Sequence, residues 1–382
     1  GHITLPALYE AADELGVLVW QDFPLQWGYH RSVRKSAIRQ VKEAVDVLGH
    51  HPSLAVWCGH NEPIALDFEP GEPIDQKKMA VRFAIGHELP TWNRSILDRS
   101  VKRTFEKADE TRPVIAHSGI APHLPQLDGT DSHLYFGWYH GNERDLPGFA
   151  AAIPRMVRFV SEFGAQAVPN NAEFMKPERW PDLDWEHLGH HHSLQKWIFD
   201  ERIPPAAFST FEQWRAATQG YQALLLKHQV EALRRLKYKP TGGFCMFSLA
   251  DAQPGVTWSV LDHERSAKAG YHALTDACRP VIVVADRLPP LVKPGDTLAL
   301  DLHVVSDLRE PLEAAVVTAN VTWDGGKHGW RWQGDVPADS CVRVGTVSIV
   351  VPDAPGSLGL DLDLAAGDTA ASNRYRSEIA PA

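Results

Sequence analysis

Cysteine is scarce in this 382-residue chain: Cys58, Cys245, Cys278 and Cys341 lie far apart, with no C-x-x-C pair and no dense framework. That scatter argues against a disulfide scaffold and a zinc site, and points to reduced thiols with a slight leaning toward a cytoplasmic setting. Long apolar runs are missing too, so no stretch reads as a membrane span and no membrane partner is expected. Positive charge is in deficit, with 38 Lys and Arg against 48 Asp and Glu and a formal net charge of -10. Such a balance repels nucleic acid and anionic lipid at long range, so a neutral substrate fits better. The chain opens Gly1-His2-Ile3-Thr4 without an initiator Met, a basic n-region or an apolar h-region. No signal peptide can be read there, and residues upstream of Gly1 are expected. Nothing in the composition speaks to oligomeric state.

What is present suits an ordinary globular protein, with 44% hydrophobic and 23% charged residues. The length suggests a large domain plus a smaller one. Thirteen Trp are many for one chain, and several stand beside Gly, Pro or polar residues at apparent strand ends. Rings in such places often form platforms for the apolar faces of sugars.

Leu5, Leu8, Ala12 and Leu15 are spaced as one face of a helix, Gly16 ends it, and residues 17–20 form a short continuous apolar run, as in a strand buried in a parallel sheet. The cycle recurs with Ile38, Val41, Val45 and Leu48 before residues 54–57, and again with Leu97, Val101, Phe105 and Ala108 before residues 114–116. Residues 132–136 and 157–161 read as further strands, and the helix carrying Leu226, Val230, Leu233 and Leu236 leads to a strand over 244–249. This alternation predicts an α/β fold, a (β/α)8 TIM barrel whose first two βα units would lie upstream of Gly1, over residues 1–278. From 279 to 382 the texture becomes alternation bounded by Gly, Pro and Asp, over residues 297–304, 315–322, 341–351 and 358–364, which predicts an all-β, immunoglobulin-like sandwich. The long irregular stretch 170–205 is expected to shape the site.

Two of the strands end in a glutamate: Trp57-Cys58-Gly59-His60-Asn61-Glu62-Pro63 and Arg158-Phe159-Val160-Ser161-Glu162-Phe163-Gly164. Barrel chemistry sits at the C-terminal strand ends. An acid at a buried strand's exit, as with Glu62 beside Trp57 and Gly59, has little folding rationale unless it is paired or functional. Glycoside hydrolysis uses two such carboxyl groups, about 5 to 5.5 Å apart when configuration is retained, one protonated and one ionised. Glu62 is the candidate acid/base and Glu162 the candidate nucleophile.

With these residues in place the chain resembles family 2 glycoside hydrolases, specifically their β-mannosidase branch. The likeness runs from Leu8 to about Ala273 in ordered blocks: residues 8–23, Asn61-Glu62, Ser132-His133-Leu134-Tyr135, Ser161-Glu162-Phe163-Gly164, and Val256-Thr257-Trp258-Ser259-Val260-Leu261-Asp262. The resemblance implies a retaining, exo-acting enzyme on a terminal β-mannoside or related β-glycoside, with an oligosaccharide or glycoside substrate, no cofactor and no metal. It implies that Asn61 contacts the sugar 2-hydroxyl and that His133 and Tyr135 line the pocket, with Asp22, Trp57, Trp138 and Phe247 as further candidate substrate contacts. Two blocks depart from the branch. Phe247-Ser248-Leu249-Ala250-Asp251 stands where Trp-Gln-Leu-Asn-Asp is usual, and Cys58 and His60 stand where Ser and Asn are common. The alternatives are another family 2 specificity, for a glucuronide, galactoside or glucosaminide, and an inert carbohydrate-binding fragment.

Other signals carry less. His50-His51 and His190-His191-His192 have no ligand partners at a recognised spacing. Cys58 reads as a small buried side chain, and residues 31–42 as a solvated basic helix face.

Overall fold

Gly16, in the left-handed conformation at φ 69°, stops helix α1 (Pro6–Leu15) and turns the chain into strand β1 (Val19–Asp22). The computed structural model describes residues 2–63, 91–120 and 131–381. Chain contacts divide it into two units, Gly1–Leu134 with Ile153–Glu162, and Tyr135–Ala152 with Phe163–Ala382.

In the first unit β1 is followed by α2 (Val33–Leu48), β2 (Leu54–Cys58), α3 (Asp98–Ala108) and β3 (Val114–Ile115). The strands pair in parallel in the order β1-β2-β3, the helix-strand alternation expected of an α/β sheet. Val41 and Leu48 of α2 meet Leu97, Val101 and Phe105 over Trp57 and Leu54 in one core. The first helix corrects one expectation. Its buried residues are Tyr9 and Ala12, whereas Leu5, Leu8 and Leu15 are exposed, together with Val17 and Leu18 ahead of β1. A second parallel pair joins β4 (Ser132–His133) to β5 (Phe159–Glu162), with His133 opposite Glu162.

The second unit contains α4 (Leu146–Ala152), α5 (Trp185–His192), α6 (Lys196–Arg202), the 25-residue α7 (Phe211–Arg235), the short β6 (Gly243–Phe244) and α8 (Ala269–Ala277). A capping box starts α7: Thr210 accepts from the Gln213 N–H while the Gln213 side chain accepts from the Thr210 N–H. Within the stretch read as site-shaping, Leu183, Leu188, Leu194, Ile198 and Phe199 pack with Trp214 in a core of the second unit. After α8 come β7 (Val281–Ala285), β8 (Leu291–Val292), β9 (Thr297–Ser306), β10 (Leu312–Trp323), β11 (Gly326–Val336), β12 (Ser340–Val350), β13 (Gly356–Ala366) and β14 (Thr369–Ile379). They form one sheet in the order β11-β10-β13-β14-β8 and another in the order β12-β9-β7. Alternate residues such as Leu298, Leu300 and Leu302, Val317, Ala319 and Val321, and Leu358, Leu360 and Leu362 point into a shared core.

Candidate active site

The chain leaving β2 stays in ladder register beyond the strand. Phe23 N–H donates to Cys58 O, Gly59 N–H to Ile115 O, Asn61 N–H to Leu25 O and Glu62 N–H to Ser118 O. A side chain at Gly59 would place its Cβ 2.7 Å from Ala116 O, so the close approach of these segments needs glycine there. At the end of this run Glu62 adopts φ 44°, a left-handed conformation that costs a non-glycine residue on the order of 1 kcal/mol. The strain directs a glutamate side chain to a chosen place, which is where such conformations cluster in functional sites.

That place is the end of the β4–β5 pair. His133 Nδ1 is 2.7 Å from Glu62 Oε1 and 3.4 Å from Glu162 Oε2. The donor atoms of Glu62, His133 and Glu162 all lie within 4.8 Å of one another. Both carboxylate side chains keep 21% of their surface exposed, while His133 keeps 5%. Glu62 Oε2 accepts from the Trp27 indole at 3.3 Å. On the other side of the imidazole, Ser118 Oγ is 3.3 Å from Nε2 and donates to Asn61 Oδ1 at 3.2 Å. Fully buried Asp131 sits 3.9 Å from Nε2 and accepts from Ser161 Oγ and the Gly119 N–H.

Burial is the largest influence on His133 and pulls its pKa down. The hydrogen bond to Glu62 and the charges of Glu162, Glu62 and Asp131 outweigh it, bringing the group up to about 9. A shift in this direction favours the protonated imidazole at neutral pH.

Four of the residues expected from the sequence thus converge: Glu62, Glu162, His133 and, through Ser118, Asn61. Asp22 lies in register with Cys58 and accepts from the Trp20 indole at 2.9 Å. Burial, followed by the charge of Asp22, holds the Cys58 thiol well above its ordinary range and agrees with an inert cysteine. Trp57 is a correction. It is fully buried, stacked on Phe105, with its indole N–H given to Asp109 at 2.9 Å, so it has no face for a sugar. Trp138 needs the same correction, being 1% exposed, packed on Phe199 and donating to Gln195. Tyr135 is buried in the second unit edge-on to Tyr139, and Phe247 is 39% exposed there against Trp258. Strand β4 ends at His133, so it does not run on to Tyr135.

Sequence reasoning missed Trp27, Ser118, Asp131 and the buried His60–Asp98–His117 chain, in which Asp98 takes both imidazoles at 2.7 and 3.0 Å. Asp131 had a usable signal, since it precedes His133 by two and extended chain repeats its side every second residue. Trp27, at φ 64° in a loop, had none.

No family model matches the chain. It is 26% identical over 363 residues to β-mannosidase B of Aspergillus niger, covering 84% of this chain and 40% of that protein. It is 25% identical over 354 residues to β-mannosidase A of Aspergillus niger, covering 83% and 37%. The chain spans about two fifths of the length of these relatives. Its fold is similar to the β-D-mannosidase from Dictyoglomus thermophilum, with TM-score 0.73, 19% identity and coverage of 97% and 44%. It is also similar to an exo-chitosanase from Amycolatopsis orientalis, with TM-score 0.62, 14% identity and coverage of 98% and 44%. The resemblance to the β-mannosidase branch of family 2 glycoside hydrolases holds in sequence as well as in fold. Among the described residues no helix is long and apolar enough to cross a membrane.

Proposed function

We propose that this chain carries the catalytic carboxylates of a retaining exo-β-glycosidase acting on terminal β-mannosides or related β-glycosides, with Glu62 as acid/base and Glu162 as nucleophile. The observation that carries the reading is the approach of Glu62 and Glu162 to within 4.8 Å around one imidazole. A gap of that order suits double displacement, whereas inversion needs about 6.5 to 9.5 Å for an intervening water. In the same reading residues 1–278 are a barrel short of its first two βα units, and 279–382 the trailing sandwich.

Glu162 attacks the anomeric carbon while Glu62 protonates the departing oxygen. Glu62 then takes a proton from water as that water displaces Glu162. Asn61, held by Ser118, is the candidate contact for the sugar 2-hydroxyl. In the full-length protein, Glu162→Ala is expected to lower kcat on aryl β-mannosides by ~10³-fold or more. Glu62→Ala should be rescued by azide with retained configuration. Undiminished turnover in Glu162→Ala sinks the assignment. The departure at Phe247 favours keeping a second specificity in view, and a panel of aryl β-mannoside, glucoside, galactoside, glucosaminide and glucuronide separates the sugars.

A further inference from the structure

We propose that His133 and Glu62 work as a single acid/base, sharing one proton across the Nδ1···Oε1 contact, with the imidazole storing that proton between turnovers. The inference rests on the reading of Glu62 as acid/base and adds a partner to it.

An acid placed near an ionised nucleophile must keep a proton available while its neighbour stays charged. A lone glutamic acid would do so only by remaining neutral. Here the shortest contact of His133 Nδ1 is to Glu62, at 2.7 Å, against 3.4 Å to Glu162, so the Nδ1–H points at the acid/base. The opposite nitrogen is committed to Ser118 Oγ, whose own proton goes to Asn61 Oδ1, so Nε2 stays the donor on that side. Among the described residues, the charged groups facing the ring are Glu62, Glu162 and Asp131, all acidic. They hold His133 protonated to about pH 9.

The ring is fixed in this position. Gly119, at φ 72°, lies against it so closely that a Cβ there would fall 2.4 Å from both Cε1 and Nδ1. Glu62 is pinned from its other oxygen by the Trp27 indole.

The proton count closes without an outside donor. At rest the imidazole carries both protons and the two glutamates are carboxylates. Transfer of the Nδ1 proton leaves a neutral imidazole and a carboxylic acid at Glu62. Its O–H bond breaks as the leaving-group oxygen takes the proton, and the bond from that oxygen to the anomeric carbon breaks with its electron pair staying on the oxygen. A Glu162 oxygen bonds to the carbon. In the second half, water attacks the carbon, the ester bond to Glu162 breaks with its pair returning to the carboxylate, and the proton lost by water passes through Glu62 back to Nδ1. His133 is thus a positioning and proton-storing residue that acts through Glu62.

The test uses the full-length protein and two leaving groups. In His133→Asn, kcat/KM for a methyl glycoside, which needs full protonation, is expected to fall ~10²-fold, while a 2,4-dinitrophenyl glycoside, which needs almost none, stays within ~3-fold. The alkaline limb of the methyl glycoside profile should move down by ~2 pH units. Gly119→Ala, which displaces the ring without removing any ionisable group, should shift the limb the same way. Equal loss on both substrates with an unmoved limb would make His133 a structural residue only and overturn the proposal. Nitrogen NMR of the unmodified protein gives an answer free of folding defects: an imidazolium persisting to about pH 9 supports the store, and a neutral ring at pH 7 overturns it. If Glu62→Ala itself shows neither leaving-group dependence nor azide rescue, the failure belongs to the acid/base assignment of Glu62.

Discussion

At the residue scale, side-chain type and side-chain environment carry different information. Glu62 and Glu162 stand at strand exits where acids have little structural reason to be, and that reason is local enough to be legible in the sequence. Trp57 looks like a sugar platform by the same logic, yet its ring is sealed against Phe105 and its N–H given to Asp109. Trp57→Ala is therefore expected to cost ~3 to 5 kcal/mol of stability. Urea unfolding checks this, and KM of the folded fraction should be unmoved. A raised KM with unchanged stability would restore its place in the pocket. Burial of Trp57 and Trp138 depends on helices distant in sequence, so no local pattern could separate core from platform.

At the element scale, periodicity located helices better than it located their buried faces. The stripe on α2 tracks the core through Val41 and Leu48, whereas on α1 the residues actually buried are Tyr9 and Ala12. Spacing reports that a helix has an apolar side, and only neighbours determine which side is covered. Strands β9, β10, β12 and β13 were legible from alternation. By contrast β11 and β14 are dominated by charged, polar and aromatic residues such as Trp330, Trp332 and Arg374, and their strand state comes from pairing with β10 and β13. The capping box at Thr210 is a local device with a local consequence. Thr210→Ala is expected to lower stability by ~1 kcal/mol, read from the denaturation midpoint, with activity per folded molecule unchanged.

At the scale of the whole molecule, buried ionisable groups set how stability varies with pH. Burial pushes the pKa of Glu231 up, but His228 and Lys227 dominate and hold it down at about 2, and its oxygens also take Asn373 and the Tyr375 hydroxyl of β14, tying α7 to the sandwich. A depressed carboxyl contributes stability above its unfolded pKa, near 4.5, and loses it as pH falls through about 2. Glu231→Ala should cost ~3 kcal/mol at pH 7 and flatten the acid limb of stability, as followed by melting temperature. His133 runs the other way: raised to about 9 from 6.5, it contributes fully below 6.5 and loses that contribution as pH rises through 9. His133→Asn should therefore lose less stability than the parent between pH 7 and 9.

The sequence by itself determined the helix-strand alternation, the sandwich that follows it and the two glutamates at strand exits, because these follow from side-chain type and short-range spacing. Only the tertiary structure decided that His133 stands between those acids, that Trp27 donates to Glu62 while Ser118 bridges His133 and Asn61, and that Trp57 and Trp138 belong to the core. Those facts depend on distances between segments far apart in the chain, which no local pattern of residues encodes.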